Sequence, residues 1–392
     1  MAVPTLKTLR PVLVRMHRYT GLLLSGVLFI AGLTGSICVF RQEIDTMLNA
    51  DIFLAPPAQH PLPLSSLLSG LKAGHPSIQV TALLYRPPPG RAIEAYVSET
   101  APGGEEQTEK EIFLDPSTGR TLGMRPTEGC CLNRRAVMSF LYRIHYSLDL
   151  GQAGLWIMGG AAIMWSVDCV VGLLLTFPLH QPVWRQAFWQ RWSRTWTVSI
   201  GRSPVRIIFD LHRAVSLWLW IVLLGIAISG VALALGDEVF DPVVRAVLPT
   251  APPMTDVPGP PHPVTIDQAE TLATGFARAR GHDERPAAVL LDPDGSDAMF
   301  YLFSNDGTDP AGLGSAMVRI DLRTGQITQG EIPGRGKVGD LVLQMQLPWH
   351  SGRLAGLAGR IVICLSGIVV CMLCVTGVMI WKRKRRGIQP AR

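Results

Sequence analysis

Four stretches of this chain carry almost no charge: Tyr19–Phe40, Leu155–Phe177, Ala214–Gly236 and Ile361–Trp381. Each is 21 to 23 residues long, and Asp168 is the only charged residue in any of them. About 20 apolar residues suffice for a helix to cross a hydrocarbon core of ~30 Å, so the pattern predicts four transmembrane helices. They explain a composition of 48% hydrophobic and 17% charged residues in a 392-residue chain. Lys7, Arg10, Arg15 and Arg18 precede the first stretch, as they would a secretory signal. Its apolar run exceeds the about 7–15 residues of a signal core, and no small-x-small cleavage site follows. Ile37 before Cys38 argues against lipoprotein processing. The first helix is therefore expected to be retained.

Basic residues orient these helices. Residues 1–18 hold four Lys/Arg and no acid. Residues 178–211 hold Arg185, Arg191, Arg194, Arg202 and Arg206 against Asp210 alone, and the tail reads "KRKRRGIQPAR". The positive-inside rule puts all three in the cytoplasm, and both termini with them. The net charge of +6 is thus a topology signal, and it offers little support for a nucleic-acid partner. Trp184, Trp189, Trp192 and Trp196 suit an amphipathic stretch at the membrane interface. The expected order is a cytoplasmic N-terminus with helix one (1–40), a first outer domain (41–150), helix two (151–178) and a basic, Trp-rich cytoplasmic loop (179–211). Helix three (212–236), a second outer domain (237–355), helix four (356–381) and a basic tail (382–392) complete it.

The chain repeats itself. "MHRYTGLLLSG" at 16–26 finds an echo in "LHRAVSLWLWI" at 211–221. Gly35 lies 18 residues after His17, and Gly230 lies 18 after His212; Thr34 and Ser229 also correspond. "EIFLDPSTGRTLG" at 111–123 matches "MVRIDLRTGQITQ" at 317–329, each a strand, a Thr-Gly turn and a strand. Upstream of both, a helix followed by a strand is predicted. Pro-rich runs, "APPAQHPLP" and "PTAPPMTDVPGPPHP", read as linkers. Before helices two and four, His145 is followed by glycine six and nine residues on, at Gly151 and Gly154; His350 has Gly356 and Gly359 at the same spacing. The chain is a tandem duplication of one unit, inside helix, outside domain, returning helix, with parallel copies.

Nine histidines divide on this pattern. His60, His75, His262 and His282 lie in polar outer stretches and read as solvated loop residues. His180 follows helix two. His17, His212, His145 and His350 occupy matched positions at helix ends. Ionisable groups at membrane depth are functional candidates, although interfacial histidines can also be satisfied by water or headgroups. Two neutral imidazoles are a usual axial ligand set for haem iron. A zinc site would want thiolate or carboxylate companions, which are missing here. No CxxCH occurs, so any haem is expected to be b-type and non-covalent. Of seven cysteines, five lie in helices and suit packing; Cys371 and Cys374 form a CxxC without a redox-fold context, and Cys130-Cys131 would face an oxidising compartment. Asp168 must face a polar interior, pair or be protonated, so a bundle hydrogen bond and a proton-relay or quinol-site role both stay open. Leu373 takes its place in the second copy. No dinucleotide-binding glycine motif or P-loop is present, and the cytoplasmic loop of about 34 residues is too short for a nucleotide-binding half. Electrons would have to come from membrane quinol or a separate cytoplasmic reductase.

The "HRYTGL" start, the His-Gly-Gly approach to the second helix and the "DPSTGR" hairpin resemble the PepSY-associated transmembrane proteins. The likeness covers nearly the whole chain; the third helix departs mildly, with "HRAVSL" for "HRYTGL". It implies an integral membrane helical bundle of four transmembrane helices with two α+β PepSY-like periplasmic domains. Some members of that family reduce ferric siderophores at the inner membrane, so it also implies a dihaem electron-transfer protein whose acceptor is ferric siderophore iron. On that reading His17 with His212, and His145 with His350, are axial ligands of two haem b groups. Arg143 and Arg353 are candidates for the outer propionates. A haem-free regulator or tether, its outer domains binding a peptide or protease partner, is the alternative, and a transporter using the repeat interface is a third.

Overall fold

The structure is a computed structural model that describes residues 6–100, 107–128, 133–179, 181–201, 203–252, 262–302 and 312–386. Cys130, Cys131, His180, Arg202 and the end of the basic tail lie outside the described residues. The chain forms two compact units. One is helical and comprises Met1–Phe40, Leu141–Val244 and Trp349–Arg392; the other, Arg41–Phe140 and Arg245–Pro348, is built on a sheet.

Three helices of the first unit are long and apolar enough to cross a membrane. The first span is Leu6–Cys38, the second Gly151–Thr176 and the last Gly356–Arg386. At 1.5 Å per residue even the 26-residue second span is about 39 Å long. Its C-terminal carbonyls are capped by Arg10, which donates to Leu175 O at 2.9 Å, a favourable place for a cation. The first and last spans meet along small residues. Ser36 Oγ donates to Cys364 O at 2.8 Å, and a Cβ placed on Gly32 would lie 2.7 Å from Gly367 O. Cys371 and Cys374 are free thiols within the last span, and Cys371 Sγ meets Phe29 O at 3.4 Å.

The remaining apolar stretch is not the straight helix over 212–236 that its run predicts, but a bent pair with the form of a broken span or a re-entrant loop. It consists of Pro204–Trp218 and Trp220–Ala234, bent by 70° about Leu219. No Pro or Gly stands at the bend. The two tryptophans beside it are tied to different segments: Trp218 Nε1 donates to Trp196 O at 3.0 Å, and Trp220 Nε1 to Cys169 O at 2.9 Å. The 15 residues beyond the bend reach only about 22 Å.

The second unit corrects the expectation of two separate outer domains. Its eight strands form one antiparallel sheet, ordered β4-β3-β2-β1-β5-β6-β7-β8. The first copy contributes β1 (Ile78–Leu84), β2 (Ile93–Thr100), β3 (Gln107–Leu114) and β4 (Thr121–Pro126). The second contributes β5 (Pro286–Leu291), β6 (Asp297–Leu302), β7 (Ala316–Asp321) and β8 (Ile327–Glu331). β1 and β5 pair through Leu83↔Val289, which removes two open sheet edges at once. The predicted helix before the strands is present in each copy, as Leu64–Gly74 and Ile266–Arg278. Leu67, Leu71, Ile93 and Ile112 share one core with Ala273, Phe276, Phe300 and Val318. Both Thr-Gly hairpins close the same way: Asp115 accepts from Ser117 N at 2.8 Å, and Asp321 from Arg323 N at 2.7 Å.

The copies differ beneath β3 and β4. Arg125 is buried there between Phe53 and Phe113, paired to Asp45 at 2.8 Å and to Glu111 at 2.6 Å. Burial holds the Glu111 carboxyl above its usual range, against the opposing pull of Arg125.

Candidate functional site

The structure brings the four repeat histidines together two by two. His17 and His212 have ring centres 6.3 Å apart, and His145 and His350 have theirs 6.1 Å apart. Each pair takes one ring from each copy of the repeat. The placement differs from the sequence expectation in two respects. His17 does not stand at the threshold of its helix, because the first span already begins at Leu6. His212 lies before the bend, in Pro204–Trp218. The other two rings come from short helices, Val137–Ser147 and Gln346–Ser351. His145 and His350 belong to the helical unit, so residues 141–150 and 349–355 leave the outer domains to which the sequence assigned them.

In all four rings Nδ1 is the nitrogen bound by the protein. His212 Nδ1 lies 2.9 Å from Thr376 Oγ1, His350 Nδ1 2.9 Å from Ser229 Oγ, and His145 Nδ1 3.2 Å from Thr34 Oγ1. Each of these hydroxyls donates its own proton to a carbonyl of its helix: Thr376 to Met372, Ser229 to Ile226, Thr34 to Ile30. The hydroxyl oxygens therefore meet the rings as acceptors, and Nδ1 must carry the ring proton. Backbone carbonyls reinforce this arrangement, Ala31 O at 3.1 Å from His145 Nδ1, with Leu373 beside His212 and Ile226 beside His350. His17 is the exception in kind: its Nδ1 lies 3.0 Å from Asp168 Oδ1. With Nδ1 engaged throughout, Nε2 is the nitrogen left for a further bond.

A glycine faces every ring. A Cβ on Gly35 would lie 2.7 Å from His145 Cε1; on Gly172 it would lie 3.5 Å from His17, on Gly377 3.5 Å from His212, and on Gly230 4.0 Å from His350. The glycines that follow His145 and His350 in sequence have another purpose. Gly151 (φ +55°) and Gly356 (φ +58°) start the second and last spans in the left-handed region. Three residues later the spans pass so close under the preceding turn that a Cβ on Gly154 would meet Ser147 O at 1.6 Å, and one on Gly359 would meet Gly352 O at 2.1 Å. These turns fold each histidine back onto the span of its own copy.

A family model, the PepSY-associated TM region, matches residues 14–384. The chain belongs to that family. No curated protein matches it. The PepSY-associated TM region encloses all four histidines, their acceptors and their facing glycines.

Of the two arginines singled out near His145 and His350 in sequence, Arg143 is ion-paired to Asp149 at 2.7 Å, and Arg353 is exposed in the short turn before the last span. His60, His75, His262 and His282 belong to the sheet unit, and the four paired histidines belong to the helical one. Sequence reasoning missed Thr376, Gly172 and Gly377, and left Asp168 without a partner. Gly172 and Gly377 are separated by the same 205 residues as His145 and His350. Carrying the repeat alignment to the far ends of the helices reveals them.

Proposed function

We propose that this chain binds two b-type haems and carries electrons across the inner membrane to ferric iron held in a siderophore. The observation that carries the reading is the pair of cross-copy histidine couples with every Nδ1 committed to the protein. A metal bonded at about 2 Å to one nitrogen of each ring would hold the ring centres roughly 6 Å apart. The rings are 6.3 and 6.1 Å apart. Among the described residues no group of three or more His, Cys, Asp or Glu could hold a metal ion. Two imidazoles per site therefore suit a metal whose remaining ligands come with it, as a porphyrin supplies them. Haem, when bound, supplies a one-electron carrier whose potential depends on its axial ligands and their hydrogen bonds.

The residues of the chain do the rest. Thr376, Ser229, Thr34 and Asp168 fix tautomer and ring orientation. The facing glycines leave room beside each ring. His17 and Gly35, the latter against His145, are 18 residues apart on one helix, about 27 Å along its axis, so a single group cannot serve both pairs. The basic N-terminus, loop and tail put the His17/His212 pair toward the cytoplasm and the sheet unit in the periplasm. The donor there is a membrane quinol or a cytoplasmic reductase. One electron converts Fe(III) to Fe(II), which hard oxygen ligands hold less firmly, and the iron is released.

The visible spectrum of the purified protein is the first test. Two haems per chain, with bands that sharpen on dithionite, are expected; a colourless preparation from haem-replete cells would falsify the reading. In sealed, oriented vesicles, a ferric chelate on the sheet-unit side should reoxidise the reduced protein. Reoxidation only from the opposite side refutes the direction.

A further inference from the structure

Asp168 is the one charged residue in the four apolar stretches, and its side chain is only 11% exposed. Among the described residues its ion-pair partner is His17. The three other rings give their Nδ1 proton to neutral oxygens, the hydroxyls of Thr376, Ser229 and Thr34 and the nearby carbonyls. The two copies differ at the matched positions. Leu373 stands at the position of Asp168, and Val171 at the position of Thr376. In the first copy a carboxylate does for His17 what a hydroxyl and a carbonyl do for His212.

The exchange changes the electronics of one site only. A carboxylate accepting the Nδ1 proton makes the imidazole a stronger electron donor through Nε2 than a neutral acceptor does. A negative charge held in a poorly polarisable interior also favours the more positive, oxidised state of a nearby metal. Both effects lower the potential of the His17/His212 site. The acceptors found at the His145/His350 site are hydroxyls and carbonyls, which leave its potential higher.

We propose that Asp168 is a positioning residue which, through its bond to His17, makes the inner site the lower-potential one and so directs electrons outward. The proposal rests on the haem reading above.

Redox titration of the full chain in detergent, followed optically, tests it on Asp168→Leu, Asp168→Asn and Asp168→Glu, with His145→Ala to assign the two midpoints. In wild type the lower midpoint should belong to the site that survives His145→Ala. In Asp168→Leu it should rise by the equivalent of at least tenfold in its reduction equilibrium, about 59 mV for one electron. The other midpoint should stay, and Asp168→Glu should stay near wild type. If Asp168→Leu sheds haem, Asp168→Asn decides: it keeps an acceptor oxygen and loses the charge, so its midpoint must rise at unchanged haem content. Two bound haems with unmoved midpoints overturn this proposal alone. A shift confined to the outer site overturns it as well. A haem-free protein overturns the haem reading and this proposal with it.

Discussion

Replacing Gly35 with alanine should dismantle the His145/His350 pair and spare the His17/His212 pair. The new Cβ would lie 2.7 Å from His145 Cε1, where carbon atoms normally rest about 3.5–4.0 Å apart, so the ring must retreat by roughly 1 Å. It cannot swing freely, because its Nδ1 is held by Thr34 Oγ1 and Ala31 O on the same helix. Retreat therefore breaks those bonds, and overpacking of this kind costs about 1–3 kcal/mol before they are counted. A metal–nitrogen bond tolerates only about ±0.2 Å, several-fold less than the displacement. Gly172→Ala and Gly377→Ala are the built-in comparison, since their Cβ atoms would sit at an ordinary 3.5 Å from His17 and His212. Haem per protein and the reduced-minus-oxidised spectrum of the purified variants measure the outcome. Gly35→Ala should lose about one haem of two, while Gly172→Ala and Gly377→Ala keep both. Full haem content in Gly35→Ala, or equal losses in all three, would refute the packing argument.

Gly154→Ala and Gly359→Ala should each disturb the His145/His350 pair through the turn rather than the ring, lowering haem content and, by about 1–3 kcal/mol or more, stability in thermal scans. Arg125→Met leaves Asp45 and Glu111 buried without their cation, which should cost about 3–5 kcal/mol. For a unit of about 200 residues that is a drop of roughly 10 °C in the strand signal by circular dichroism. The sign of its pH dependence follows from Glu111, whose carboxyl burial already raises and which the variant raises further. Between the unfolded and the raised folded value the folded state holds a proton that the unfolded chain has released, so the deficit grows as pH rises through that interval and narrows as pH falls toward about 4. Gly367→Val, whose Cβ would meet Ser36 Oγ at 2.3 Å, should separate the first and last spans and lower the aggregation temperature in detergent.

What was legible in the sequence, and what was not, divides on physical lines. The apolar spans could be read because exclusion of charge is a local property of each stretch. The start of the first span could not: Lys7, Arg10 and Arg15 look like a polar leader, yet a helix carries such residues outside the hydrocarbon, and Arg10 is even used to cap the second span. The bend at Leu219 leaves no mark in composition: no Pro or Gly stands there, and the hydrogen bonds of Trp218 and Trp220 that flank it go to residues distant in sequence. The β1–β5 pairing joins strands some 200 residues apart, and nothing local to either announces the partner. The four histidines stood out through repetition alone. Their matched positions also paired them across the copies, His17 with His212 and His145 with His350, and the rings do meet two by two in that way. Asp168 beside His17 depends on packing that spacing does not encode.

Pairing across the copies also says something about ancestry. A half-length ancestor would hold one ring of each couple and could complete neither site alone. It would have to associate with a second molecule of itself about a twofold axis, and both rings of every couple would then be the same residue in the same surroundings. Fusion of the two halves lifts that obligation. Asp168 opposite Leu373, and Arg125 with its carboxylates in one half of the sheet, are differences that a symmetric dimer could not have carried.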